Sequence, residues 1–315
     1  MKILIFGAGV IGTAYAWQLQ EAGHDVTLFV RKLRMVRYGH SGVSITYSDN
    51  RQGKHIMGKT VFRPKVIDKL DPKNAFNLII VSVKSNQWQD VIPYISKYSA
   101  DADVLLLGNI WDELNYAEKH FPKGRFCLGF PGLIAGGQIE NGINSFFFKK
   151  GHTIIGEVNG EVTERVKQIA AIFETSGLQP GIKKNITDWM AHYYLLSAIT
   201  PGLISKAGNA RLFVANNTLI KQYLMALKEG QKIIRRKGVK PVPLFPFNKF
   251  FLPSFILVSL TKRQFDDETA ASMDAHMKHG ASEKKKQYYD VLYTAKRLKV
   301  PVPYWASFEK YMDFS

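Results

Sequence analysis

The chain has 315 residues, 46% of them hydrophobic, which is enough for one large domain or two ordinary ones. It holds a single cysteine, Cys127, so an intramolecular disulfide is excluded and a reducing, cytoplasmic setting is expected. The formal net charge is +17, with basic residues concentrated in 31–37, 228–240 and 278–286. No helix-turn-helix, zinc spacing or RNA-binding signature accompanies them. Solvated helix faces plus one phosphate site are therefore expected, rather than a nucleic-acid surface.

The first element sets the rest. Four apolar residues, Ile3 to Phe6, run into Gly7–Ala8–Gly9–Val10–Ile11–Gly12, and a helical pattern over 13–22 follows. After Gly23–His24, residues 25–30 read as a second buried strand. This is the strand–turn–helix–strand opening of a dinucleotide-binding fold. Gly7 permits the tight turn, Gly9 lets a pyrophosphate approach the backbone, and Gly12 lets helix and strand pack closely. The helix N-terminus then offers its unpaired N–H groups to the phosphates.

The same stretch mimics a signal peptide, with Lys2, an apolar run and Ala14–Tyr15–Ala16. The glycine spacing favours the phosphate loop, and cleavage would remove a strand that its neighbour needs. No other run reaches the ~18 apolar residues of a membrane span, so no membrane partner is expected. The closest, 250–260, is broken by Pro253 and Ser254.

An acidic residue that binds a ribose 2′-OH would fall about 20 residues past the glycines. Here that stretch reads Val30–Arg31–Lys32–Leu33–Arg34. Arg31 and Lys32 suit a 2′-phosphate through charge-assisted hydrogen bonds, which predicts NADP(H) over NAD(H).

Residues 43–47 and 56–62 alternate like a hairpin. Buried-strand runs follow at 78–83, 104–107 and 125–130, the last followed by an expected loop over 131–137. Helices are expected over 88–98 and 111–120. Lys84 and Asn109 lie at the carboxyl ends of two strands, where open α/β sheets bind ligands. A strand at 153–156, a helix over 161–176 and a last strand at 178–182 complete this part. The polar stretch 183–187 is the expected boundary, with Thr187 capping the next helix. Helices are expected over 189–206, 217–237 and 267–298. The fold class is thus α/β: a Rossmann-type domain over 1–184, then an all-helical domain over 185–315 for substrate and dimer contacts. A cleft between the two is the expected small-molecule site. A homodimer is one assembly open to the chain. Residues 250–260 are open to three readings: core, dimer contact or lid. His276 and His279 lack a clear third ligand, so no metal site is expected.

Taken together, these residues resemble the ketopantoate reductases (2-dehydropantoate 2-reductases). The likeness spans essentially the whole chain. It rests on Gly7 to Gly12, Arg31, Val81–Lys84, Gly108–Asn109, Trp189, Thr200–Pro201 and Gly208–Asn209. It continues through Ser272–Met273, Gly280, Glu283 and Val300–Pro303. The resemblance implies NADPH-dependent reduction of a 2-oxo acid to a 2-hydroxy acid. By position, Lys84 and Asn109 would touch the cofactor, with Asn109 also near the substrate. Asn209 and Ser272 would hydrogen-bond the substrate, and Glu283 would bind it or order the closed site. The spacing from Ser272 to Glu283 is one residue shorter than the family's.

One departure concerns the chemistry. The family places a proton-donating lysine two residues after the tryptophan, and this chain has Ala191 there. Anchored on Pro201 instead, that position falls on His192. A substrate-binding asparagine becomes Leu195 or Leu196, and the asparagine before the proline becomes Thr200. Hydride addition leaves negative charge on a carbonyl oxygen, so an acid is needed; His192 as imidazolium and Lys84 are the candidates, ahead of Tyr193 and Tyr194. Three functions follow: a reductase with an altered, larger or more apolar substrate; a true 2-dehydropantoate 2-reductase of pantothenate synthesis with His192 replacing the lysine; or an NADPH-binding sensor without catalysis.

Overall fold

The computed structural model describes residues 1–122, 124–265, 270, 274 and 281–313. They divide into two compact units, Met1–Ile186 and Thr187–Ser315.

The first unit runs β1 (Lys2–Phe6), α1 (Val10–Glu21), β2 (Asp25–Phe29), β3 (Val43–Asp49), β4 (Ile56–Phe62), β5 (Lys65–Ile67) and β6 (Leu78–Val81). It continues with α2 (Trp88–Tyr98), β7 (Asp103–Leu107), α3 (Leu114–His120), β8 (Phe126–Pro131), β9 (Ile134–Ile139) and β10 (Gly142–Phe147). It closes with β11 (Thr153–Gly156), α4 (Glu164–Thr175) and β12 (Pro180–Ile182).

Eight strands form one sheet in the order β12-β11-β8-β7-β6-β1-β2-β5. From β5 to β8 every pairing is parallel, with Ile3 opposite Val26 on one side and Leu78 on the other. Runs such as Leu78–Val81 are wholly buried, as parallel strands covered on both faces must be. The chain builds outward from β1 to β2, then restarts on its other side with β6. That reversal is the topological switch point, and β1 sits on it.

A second sheet, β4-β3-β10-β9, stands apart from the first. The expected hairpin over 43–62 is real: β3 and β4 pair antiparallel from Val43–Phe62 to Asp49–Ile56. The expected loop over 131–137 is not a loop. Residues 134–139 form β9, antiparallel to β10. Its glycines obscured it, and Gly136 is needed there. The φ of Gly136 is +155°, and a Cβ on it would strike the Asn144 carbonyl and come 3.0 Å from the Val10 side chain.

Helix α1 packs on β1 and β2 of the first sheet and on β9 and β10 of the second. Every residue from Gly12 to Trp17 is therefore buried. Trp17 meets Tyr47 and Phe147, and the Tyr15 hydroxyl lies 2.6 Å from that of Thr153. The first two turns of a helix enclosed this way are nearly all apolar, which is why the sequence mimics a secretion signal.

The described residues of the second unit hold helices and no strand: α5 (Ile186–Ala207), α6 (Ala210–Ala215), α7 (Asn217–Arg236), α8 (Ser254–Gln264), α9 (Ala281–Arg297) and α10 (Pro303–Ala306). Thr187 lies inside α5 rather than at its cap. Asn209 and Asn216 cap α6 and α7, accepting the Leu212 and Leu219 N–H groups at 2.8 and 3.0 Å. Gly230 lets α7 approach α5, since a Cβ there would lie 2.9 Å from the Leu195 side chain. The buried Glu229 carboxylate accepts the N–H groups of Tyr304 and Trp305 at 3.1 and 2.8 Å, fixing the start of α10. Among the described residues, no helix is long and apolar enough to cross a membrane.

Candidate functional site

The glycine loop leaves β1 at the switch point. Gly7 has φ +121°, a conformation glycine adopts without cost, and a Cβ on it would lie 2.9 Å from the Ser82 hydroxyl. That hydroxyl donates to the Gly7 carbonyl at 3.0 Å, tying the loop to the end of β6. A Cβ on Gly12 would overlap the Gly7 carbonyl, so only glycine permits this approach of helix to strand. Gly9 is the opposite case: a Cβ there would meet no atom within 4 Å. Gly9 is also the N-cap of α1, contributes no side-chain cap, and has no acidic residue in the turn behind it. The loop thus offers a helix N-terminus and an open approach at Gly9. These residues fit a dinucleotide pyrophosphate.

Two neighbouring strands bring further groups to the same edge. Lys84 follows β6 and is exposed; Asn109 follows β7 and is half-buried. Their loops are joined, because the Ser85 hydroxyl donates to the Asn109 carbonyl at 3.2 Å. The Glu113 carboxylate holds the same corner, accepting from Ser85 Oγ at 3.3 Å and from the Trp111 N–H at 2.7 Å. The carboxyl ends of β1, β6 and β7 therefore present Gly7–Gly12, Lys84 and Asn109 side by side.

Arg31 and Lys32 lie just beyond β2, exposed, with Arg31 capping a short 3-10 turn over Lys32–Arg34. Two residues that the sequence reading did not select join them. The Tyr38 hydroxyl donates to the Ala8 carbonyl at 3.1 Å, and Arg34 Nη1 reaches the same oxygen at 3.4 Å. Arg34 was visible as part of the basic cluster. Tyr38 carried no local signal, because a π-helical turn over Arg37–Ser41 delivers it.

The remaining candidates belong to the second unit. His192 lies within α5 and is 2% exposed. Its Nδ1–H donates to the Asp188 carbonyl at 2.8 Å, and its ring packs edge-on against Phe247. Burial pushes its pKa below the usual histidine value; the Asp188 carbonyl and carboxylate oppose this, and Arg235 adds to it. This environment favours the neutral ring, so the imidazolium expected from the sequence is disfavoured. Tyr194 is buried and donates to Asp290 at 2.6 Å. Tyr193 stacks on Trp189, and burial raises its pKa.

Leu195 does not line a ligand surface: it is fully buried against Gly230. Ala191 and Leu196 are half-buried on the same helix. Asn209 spends its side-chain oxygen on capping α6, and Asp274 accepts the following N–H, that of Ala210, at 2.8 Å. Glu283 stands half-buried in the first turn of α9. Ser272, Met273, Gly280, His276 and His279 lie outside the described residues. The segment 250–260 divides: Leu257 and Val258 are core, whereas Phe251 and Phe255 are 76% and 71% exposed.

Comparison with known proteins gives this geometry a context. Residues 3–160 match the family described as ketopantoate reductase PanE/ApbA. The chain is 30% identical over 246 residues to a 2-dehydropantoate 2-reductase of Pyrococcus horikoshii, covering 76% of this chain and 75% of that one. It is 27% identical over 208 residues to the oxidoreductase YkpB of Bacillus subtilis, covering 64% of each. In fold it is similar to a D-mandelate dehydrogenase solved with NADH and anilino(oxo)acetate (TM-score 0.76, 18% identity, 99% and 97% of the two chains). It is likewise similar to a 2-dehydropantoate 2-reductase of Methylococcus capsulatus (TM-score 0.70, 19% identity, 99% and 96%). The chain belongs to the ketopantoate reductase PanE/ApbA family and is an oxidoreductase.

Proposed function

We propose that this protein is an NADPH-dependent reductase that converts a 2-oxo acid or related carbonyl to the 2-hydroxy product, with a substrate altered from ketopantoate. The observation that carries this reading is the contrast at its two ends. The glycine loop, Lys84 and Asn109 are assembled at the switch point, while the family's lysine position holds Ala191 or the buried His192.

In this reading the loop N–H groups hold the pyrophosphate. Arg31 and Lys32 hold the 2′-phosphate, because two cations stand where a carboxylate would repel it. The bound dihydronicotinamide supplies a hydride to the carbonyl carbon, and the carbonyl oxygen must gain a proton. Lys84 is the residue we assign to that oxygen, as an exposed ammonium at the end of β6 beside the loop of Asn109. Asn109 fixes the nicotinamide end and the carbonyl. Asn209, Ser272 and Glu283 are assigned to the substrate by their family positions. The N-terminal unit is the NADP-binding domain and the helical unit the substrate domain, working in the cytoplasm, where a lone buried thiol stays reduced.

A second reading, a true 2-dehydropantoate 2-reductase, is favoured by the name of the 30% identical relative. Titrating NADPH and NADH by fluorescence, then following NADPH absorbance with ketopantoate and bulkier 2-oxo acids, separates the readings. Turnover restricted to bulkier carbonyls and lost in Lys84→Met is the expected result. Efficient ketopantoate turnover would establish the second reading. Tight NADPH binding without oxidation across the panel would point to a sensor. Preference for NADH would overturn the role of Arg31 and Lys32.

A further inference from the structure

The segment after β2 reaches back to the phosphate loop. Tyr38 is 5% exposed, and its hydroxyl donates to the Ala8 carbonyl at 3.1 Å. Arg34 meets the same oxygen at 3.4 Å. A trans peptide points its C=O and the following N–H to opposite sides. Holding the Ala8 oxygen toward Tyr38 therefore turns the Gly9 N–H away from it. Gly9 is the residue with open space around it, and its own carbonyl is engaged by the Thr13 N–H at 2.9 Å as α1 begins. Both peptide planes flanking Gly9 are thus fixed, one by α1 and one by Tyr38.

We propose that Tyr38 is a positioning residue for dinucleotide binding: its hydroxyl orients the Ala8–Gly9 peptide so that the Gly9 N–H is set for the pyrophosphate. Arg34 assists from the same turn that carries Arg31 and Lys32. One short segment, residues 31–38, then serves two parts of the ligand. Its exposed cations meet the 2′-substituent, and its buried tyrosine shapes the loop under the phosphates. An unfixed glycine peptide would pay its ordering entropy on binding; Tyr38 removes that cost beforehand. The inference rests on the dinucleotide reading of the glycine loop given above.

Tyr38→Phe tests it, since it removes the hydroxyl and keeps the ring in place. The dissociation constants of NADPH, NADH and adenosine 2′-phosphate are measured for both proteins, with the melting temperature of each in the absence of ligand. NADPH and NADH both carry the pyrophosphate, and both should weaken by about tenfold, the effect of one hydrogen bond. Adenosine 2′-phosphate lacks a pyrophosphate and should bind equally to both proteins. Unchanged dinucleotide affinity would overturn the proposal. So would a loss confined to NADPH, which would place Tyr38 at the 2′-phosphate, or an equal loss for all three ligands, which would mark general damage. A wild-type protein that binds neither dinucleotide would instead sink the proposed function.

Discussion

The phosphate loop and helix α5 are built on opposite principles. At the loop, the groups that would meet a ligand are backbone N–H groups, and side chains matter by their absence or by holding a carbonyl in place. On α5, the chemistry in the proposed reading depends on one side chain, and Ala191 or the buried His192 stands at that position. A site made of backbone survives drift in sequence as long as its glycines remain. A site made of side chains can change while the helix around it does not. Helix α5 still packs fully, with Tyr194, Leu195, Ala198 and Ile199 all buried.

Gly12→Val attacks the backbone side of this comparison most directly. Its Cβ would overlap the Gly7 carbonyl, so dinucleotide affinity should fall at least ~100-fold, and overpacking should cost about 3 kcal/mol. Fluorescence titration and thermal melting check both. Ala191→Lys attacks the other side. If α5 lacks only the donor, turnover of 2-oxo acids should rise about 100-fold with the melting temperature little changed. A stable variant with no gain would show that the change extends beyond one residue.

Replacing Arg31 and Lys32 together by Ala should weaken NADPH by roughly 10–100-fold and leave NADH nearly unchanged, because only the former carries the 2′-phosphate. Equal losses would move these cations to the shared part of the ligand. Gly230→Ala should cost about 1–3 kcal/mol through the Leu195 and Trp305 contacts, read as a lower melting temperature without loss of dinucleotide binding.

The smallest effect concerns His192. Burial depresses its folded-state pKa, so below the unfolded value of about 6.5 the unfolded chain binds the extra proton first. Its contribution to stability is present above that pH and declines as pH falls toward the depressed value. His192→Gln should flatten the slope of stability against pH in that window. An unaltered slope would mean the ring is not held neutral.

The β1–loop–α1–β2 opening was legible because each part is a short local pattern with a fixed glycine spacing. The parallel strands at β6, β7 and β8 were legible as buried apolar runs. The second sheet was only half legible. Its β3–β4 hairpin is local, but β3 also pairs in parallel with β10, and no local pattern records that partnership. Strand β9 was hidden by glycines that read as loop and serve close packing. At the site, Gly7 to Gly12, Lys84 and Asn109 fell where strand ends demanded. Tyr38 did not, because its contact to Ala8 spans 30 residues and depends on a π-helical turn. Leu195, one of two residues at the family's substrate-binding asparagine position, packs inward instead. The space that receives it is made by the missing side chain of Gly230, a long way off in sequence.

The Glu229 carboxylate has a consequence for biosynthesis. Its two donors, the N–H groups of Tyr304 and Trp305, follow it by 75 and 76 residues. At roughly 5–20 residues per second, a ribosome takes about 4–15 s to supply them. Throughout that interval, burying Glu229 would leave its carboxylate without those two donors, a cost that opposes early docking of α7. The strands of the first unit are all present once Ile182 has emerged. The order of synthesis therefore supplies every strand of the first unit well before the turn that satisfies Glu229.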